Sequence, residues 1–144
     1  MTDKLCAAPW VHLHTFPSGQ VYPCCLTPME FPVGNLNNQS LEEVWNNEKI
    51  RNIRKQMIAG VEPESCKRCF EQEKHGKDSF REHMNRTFAN YENLIQTTAA
   101  DGSLDKMDLR YWDFRFSNIC NMKCRSCGPQ LSTGWYEDTK KIWG

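Results

Sequence analysis

The spacing of eight cysteines constrains this chain more than any other feature. Cys6 and Cys24 frame a C-x12-G-x4-C pattern through Gly19, and Cys66 with Cys69 forms a C-x2-C pair far downstream. Together these are four thiolates, the number that a closed zinc or iron-sulfur site takes. A fold that serves them must bring a hairpin and a short turn to one point, and spacing alone does not choose the metal. Nearer the end, Cys120, Cys124 and Cys127 spell C-x3-C-x2-C. Three thiolates are one too few for a closed site, the arrangement of a centre that keeps a position open for chemistry.

Size and charge narrow the function classes. At 144 residues there is room for one modest domain or two small ones, not for an eight-stranded β/α barrel, which needs about 200 residues at the least. The chain is therefore expected to be the front of something longer. Basic and acidic residues balance at 18 each, so no overall field favours nucleic acid or an anionic membrane. No apolar run nears the roughly 18 residues of a membrane span, and the opening MTDKLCAAPWVHL lacks the regions of a secretory signal. A cytoplasmic location is expected, where this many cysteines point to metal or redox chemistry and not to disulfides.

Local patterns predict the elements. Trp10 to Cys25 reads as a hairpin turning at Pro17-Ser18-Gly19, with His12 and His14 on its exposed face. Ser40 and Glu43 form a capping box before an apolar stripe of helical period, predicting one helix over 41–59 in which Trp45 and Met57 are core. Lys49, Arg51, Arg54 and Lys55 should form its solvated face. Pro63 should open a turn carrying Cys66 and Cys69 as its first helical residue, with Gly76 closing it. A second helix is expected over 79–96 with Asp78 as cap, then a linker over 97–105. Residues 109–117 alternate as a strand, Trp112, Phe114 and Phe116 against Tyr111, Asp113 and Arg115, and a helix is expected after Pro129. Strand, cysteine loop, helix is the order of the first unit of a β/α barrel, which places chemistry at the C-terminal ends of its strands.

The run from Asn118 to Pro129, with its three cysteines, resembles the cluster loop of radical S-adenosylmethionine (SAM) enzymes. The residues Cys6-Ala-Ala-Pro9-Trp10, Gly19 to Cys24, Gly34-Asn35-Leu36, Ser40 to Asn46 and Gly60 to Cys69 are similar to the auxiliary-cluster module called twitch, a short relative of the SPASM domain. The resemblance implies that Cys120, Cys124 and Cys127 bind a 4Fe-4S cluster whose open iron chelates SAM. It implies that Cys6, Cys24, Cys66 and Cys69 hold a second, auxiliary 4Fe-4S cluster. The implied activity is reductive cleavage of SAM to a 5'-deoxyadenosyl radical that abstracts a substrate hydrogen. A small-molecule or peptide substrate and an electron donor such as a flavodoxin or ferredoxin would be the partners, with no role for membrane or nucleic acid. A non-catalytic zinc-binding or iron-sulfur electron-transfer module is the alternative.

The fold class that follows is α+β: a hairpin-plus-helices cluster module over 1–77, a helix and linker over 78–106, and over 107–144 the first β/α unit of a partial TIM-type barrel. Cys25 is left over, and a small buried residue is the commonest fate of an unassigned cysteine; replacing a ligand or approaching a substrate are the others. His12 and His14 are placed as polar surface residues and not as zinc ligands, and His75 and His83 as isolated. Asp113 and Arg115 are expected either to pair structurally or to face a barrel lumen.

Overall fold

Three strands and a clasp of helices surround one apolar core, and a fourth strand joins them from far along the chain. The computed structural model describes residues 3–144; Met1 and Thr2, at the front of the module expected over 1–77, lie outside the described residues. Helix α1 (Ala8–Val11) is a single turn with Pro9 near its start, where the missing N–H costs nothing. It feeds strand β1 (His12–Thr15), which pairs antiparallel with β2 (Gln20–Tyr22), His14 opposite Tyr22. Gly19 turns the hairpin at φ +83, the left-handed region that a side chain disfavours. The short β3 (Gly34–Asn35) lies antiparallel beside β2. The hairpin is as the sequence predicts, except that Trp10 and Val11 belong to α1.

The helix expected over 41–59 is two. Helix α2 (Leu41–Trp45) starts with the predicted Ser40–Glu43 capping box, and α3 (Glu48–Ile58) starts with its own cap, the Asn47 side chain accepting from Lys49 N–H at 3.0 Å. Asparagine competes with the helix for backbone donors, and Asn46 is drawn off to Leu104, whose N–H it accepts and whose carbonyl it binds. Trp10, Val11, Leu13, Val21, Val44, Trp45, Ile50 and Met57 form the centre of the core.

Pro63 is the residue before a 3-10 turn, Glu64–Cys66, and not the first residue of a helix. The turn runs into α4 (Lys67–Lys74), and Gly76 at φ +68 ends it as expected. Helix α5 (Phe80–Thr87) is capped by Ser79 and not by Asp78, because Ser79 and Glu82 form a reciprocal capping box. The segment expected as one helix over 79–96 breaks where Phe88 leaves helical geometry and stacks on Tyr111; a 3-10 turn (Ala89–Tyr91) and α6 (Glu92–Gln96) follow.

The fourth strand, β4 (Tyr111–Phe114), is shorter than expected because β1 offers only four residues to pair with. It lies parallel to β1, with His12 beside Tyr111 and Thr15 beside Phe114, giving the sheet order β3-β2-β1-β4. The predicted alternation holds. Tyr111, Asp113 and Arg115 meet His12, His14 and Phe16, while Trp112, Phe114 and Phe116 touch one another on the other face. A long irregular loop carries the last three cysteines to a 3-10 turn (Thr133–Trp135) and α7 (Tyr136–Trp143). Among the described residues no helix is long and apolar enough to cross a membrane.

Candidate metal centre

Cys6, Cys24, Cys66 and Cys69 line one small cavity with Pro9, Met57, Ser65, Phe80 and Arg81. They arrive on three pieces of chain, Cys66 and Cys69 sharing one. Cys6 sits just before α1, where α5 holds the backbone: Asn85 accepts from Ala7 N–H at 2.8 Å and donates to the Leu5 carbonyl, which Arg81 also binds. Cys24 follows β2, with Leu26 N–H directed at its sulfur at 3.5 Å. Cys66 ends the 3-10 turn, its N–H on the Pro63 carbonyl and Ser65 Oγ 3.8 Å from its sulfur, and Cys69 lies in the first turn of α4. Met57 is core as expected, and it is also a wall of this cavity.

Burial dominates the electrostatics. It pushes the Cys6 thiol up to about 12, Cys66 up to about 11, and Cys69 upward. Cys24 rises too, chiefly through its hydrogen bond with Cys25 and then through burial. These thiols are therefore protonated at neutral pH until a metal displaces their protons, which couples loading to proton release. Four sulfurs with no nitrogen or oxygen donor suit zinc or an iron-sulfur cluster. A single zinc at about 2.3 Å from each sulfur needs donors converging on one point. Among the described residues no three Cys, His, Asp or Glu groups converge in that way; the four thiols share the wall of one cavity.

Cys120, Cys124 and Cys127 lie outside this cavity, in the loop after β4. Hydrogen bonds from backbone and side chains hold their loop, in which Cys124 is exposed and Cys120 and Cys127 are half-buried. The anchor is Ser132-Thr133-Gly134. Gly134 N–H, Ser132 Oγ and Thr133 Oγ1 all donate to the Cys120 carbonyl, at 2.8 to 3.0 Å, and Ser132 Oγ also reaches the Met122 carbonyl. A side chain at Gly134 would press on the Asn121 and Met122 backbone, 2.9 Å from the nearer oxygen. Asn118 donates to Tyr136 Oη at 2.7 Å and Lys123 pairs with Asp138, so α7 packs on the loop. Polar residues without periodicity gave the sequence reading no handle on this anchor.

The placement of His12 and His14 on an exposed face is corrected: both are buried, because β1 is an inner strand covered by β4. His12 Nδ1 donates to the Tyr111 carbonyl at 2.9 Å and its ring stacks on Tyr111. His14 Nδ1 donates to Asp113 at 2.7 Å. Burial lowers the His14 pKa more than the Asp113 carboxylate raises it, so the imidazole is neutral at pH 7. Asp113 and Arg115 pair structurally, 3.5 Å apart, with Arg115 over the Phe16 ring. Cys25 is half-buried, not a packed core residue: it faces His12 and His14, and its hydrogen bond with Cys24, then His12, draws its pKa down. His75 and His83 stand apart, one bonded to the Glu71 carbonyl and the other stacked on Phe80. The solvated face expected of α3 is wrong at one position, since Arg54 is fully buried.

Residues 6–70 match the family model of SPASM, an iron-sulfur cluster-binding domain. The matched segment contains Cys6, Cys24, Cys66 and Cys69 and stops well short of the C-x3-C-x2-C loop. Searches of curated proteins and of solved structures gave no match.

Proposed function

We propose that this chain carries the two metal centres of a radical SAM enzyme. Cys6, Cys24, Cys66 and Cys69 hold an auxiliary 4Fe-4S cluster, and Cys120, Cys124 and Cys127 hold the cluster that binds SAM. The observation that carries the reading is the separation of the thiols into two sets. Four line one cavity inside the SPASM-like segment, and three lie apart in a loop of their own. The four need nothing from the three, so the open ligand position of the triplet survives.

When loaded with cluster and SAM, the triplet site supplies an electron and a 5'-deoxyadenosyl radical for hydrogen abstraction. The chain's own part is positional. Ser132, Thr133 and Gly134 fix the Cys120 backbone, and the His14–Asp113 bond ties the strand that leads into the loop to the sheet of the auxiliary module. In this reading β4, the loop and α7 are the first β/α unit of a barrel-type core. The substrate is a small molecule or a peptide, and a flavodoxin- or ferredoxin-like protein delivers electrons.

The test is production of 5'-deoxyadenosine from SAM under a strong reductant, using anaerobically reconstituted protein expressed from the full reading frame. Its formation, and its loss on replacing Cys120, Cys124 and Cys127 by alanine, is expected. Two intact clusters without that product would favour an electron-transfer module.

A further inference from the structure

Arg54 is a positive charge in the interior with no carboxylate paired to it among the described residues. Its side chain is completely buried. Nε donates to the Pro9 carbonyl at 2.9 Å, and one terminal nitrogen reaches the Gly102 carbonyl at 3.2 Å and Asn46 Oδ1 at 3.3 Å. Among the described residues the other terminal nitrogen has no partner, and the guanidinium lies over the Trp45 ring. Among the described residues no carboxylate forms an ion pair with it.

A buried charge without a counter-charge is costly, and folds keep one where something compensates it. The other cations near the cysteine cavity are accounted for. Arg81 pairs with Glu73, Lys4 pairs with Glu62, and Arg68 is exposed to water. Arg54 is one layer behind the cavity: Pro9, whose carbonyl it binds, and Met57, one turn along α3, both form the wall. A cluster bound by four thiolates is an anion, and it gains a further negative charge on reduction.

We infer that Arg54 is the internal counter-charge of the centre held by Cys6, Cys24, Cys66 and Cys69, and that it raises the reduction potential of that centre. The inference rests on the reading that these cysteines hold an iron-sulfur cluster. A unit charge on the order of 10 Å away at an effective dielectric near 20 shifts a one-electron equilibrium about tenfold. Tenfold is about 59 mV for one electron.

The experiment uses the chain with Cys120, Cys124 and Cys127 replaced by alanine, so that a single cluster titrates. Its midpoint potential is read by anaerobic dye-mediated titration, with iron and sulfide assayed in the same samples. Arg54→Met should lower the potential by about 59 mV, the tenfold shift above. Asn46→Asp, which sets a carboxylate against the guanidinium with little change of shape, should lower it in the same direction and covers the case in which Arg54→Met fails to load. An unchanged potential in a loaded variant would overturn the inference and leave the cluster reading intact. Failure of both variants to load would assign Arg54 a structural part only, and overturn it too. Failure of the parent to take up iron and sulfide would overturn the cluster reading itself.

Discussion

The bond between His14 and Asp113 is the buried side-chain tie that reinforces the pairing of β4, and with it the C-x3-C-x2-C loop, to β1, and its removal has a calculable effect. His14 is 2% exposed and Asp113 24% at the side chain, with Nδ1 and Oδ2 2.7 Å apart. Because burial keeps the imidazole neutral, this is a hydrogen bond to a charged acceptor and not an ion pair. Such bonds contribute about 1.5–3 kcal/mol, and an orphaned buried N–H costs a similar amount. Partial exposure and the nearby Arg115 place the cost of Asp113→Ala near the middle, at about 2 kcal/mol. For a chain of this size that is a fall in Tm of roughly 7 °C. Thermal melts of wild type, Asp113→Ala, His14→Leu and the double variant give the coupling energy, expected to exceed about 1 kcal/mol. A coupling below about 0.5 kcal/mol, the ordinary scatter of additivity, would refute the contribution of this bond to β4's attachment.

Three further outcomes are expected. The folded-state pKa of His14 is lowered from 6.5, so the unfolded chain takes up a proton first as pH falls. The stability from neutral His14 is complete above pH 6.5 and is lost as pH drops through the lowered folded value; urea midpoints across that range should decline, and less so in His14→Leu. Gly102 sits at φ +86 with the Arg51 backbone where a side chain would go, so Gly102→Ala should cost more than about 1 kcal/mol by urea denaturation, and a neutral result would contradict the packing of this loop on α3. Ser79→Ala removes both the capping box of α5 and a hydrogen bond to Glu73, and should cost about 1 kcal/mol in the same assay.

What the sequence made legible was whatever is local. The capping box at Ser40, the turn at Gly19 and the two faces of β4 follow from short patterns of residue type; the two cysteine pairs, remote from each other in sequence, line one cavity as the resemblance implied. The caps at Pro63 and Ser79 differ from the expected positions by a single residue each, whereas the larger errors share a cause, which is contact with remote chain. Asn46 breaks a helix because Leu104 is there to bind it. His12 and His14 are buried because β4 covers β1 from almost a hundred residues away, |i−j| being 99. Arg54 turns inward because Pro9 and Gly102 offer carbonyls inside. None of these partners is visible from the periodicity of the segment itself.

Iron counting tests the separation into two cysteine sets most directly. Anaerobically reconstituted chain should be brown and hold about eight irons and eight sulfides. Replacing Cys66 and Cys69 by alanine, or replacing Cys120, Cys124 and Cys127, should each leave about four of both. A colourless protein with stoichiometric zinc, or loss of all iron on replacing either set alone, would contradict it.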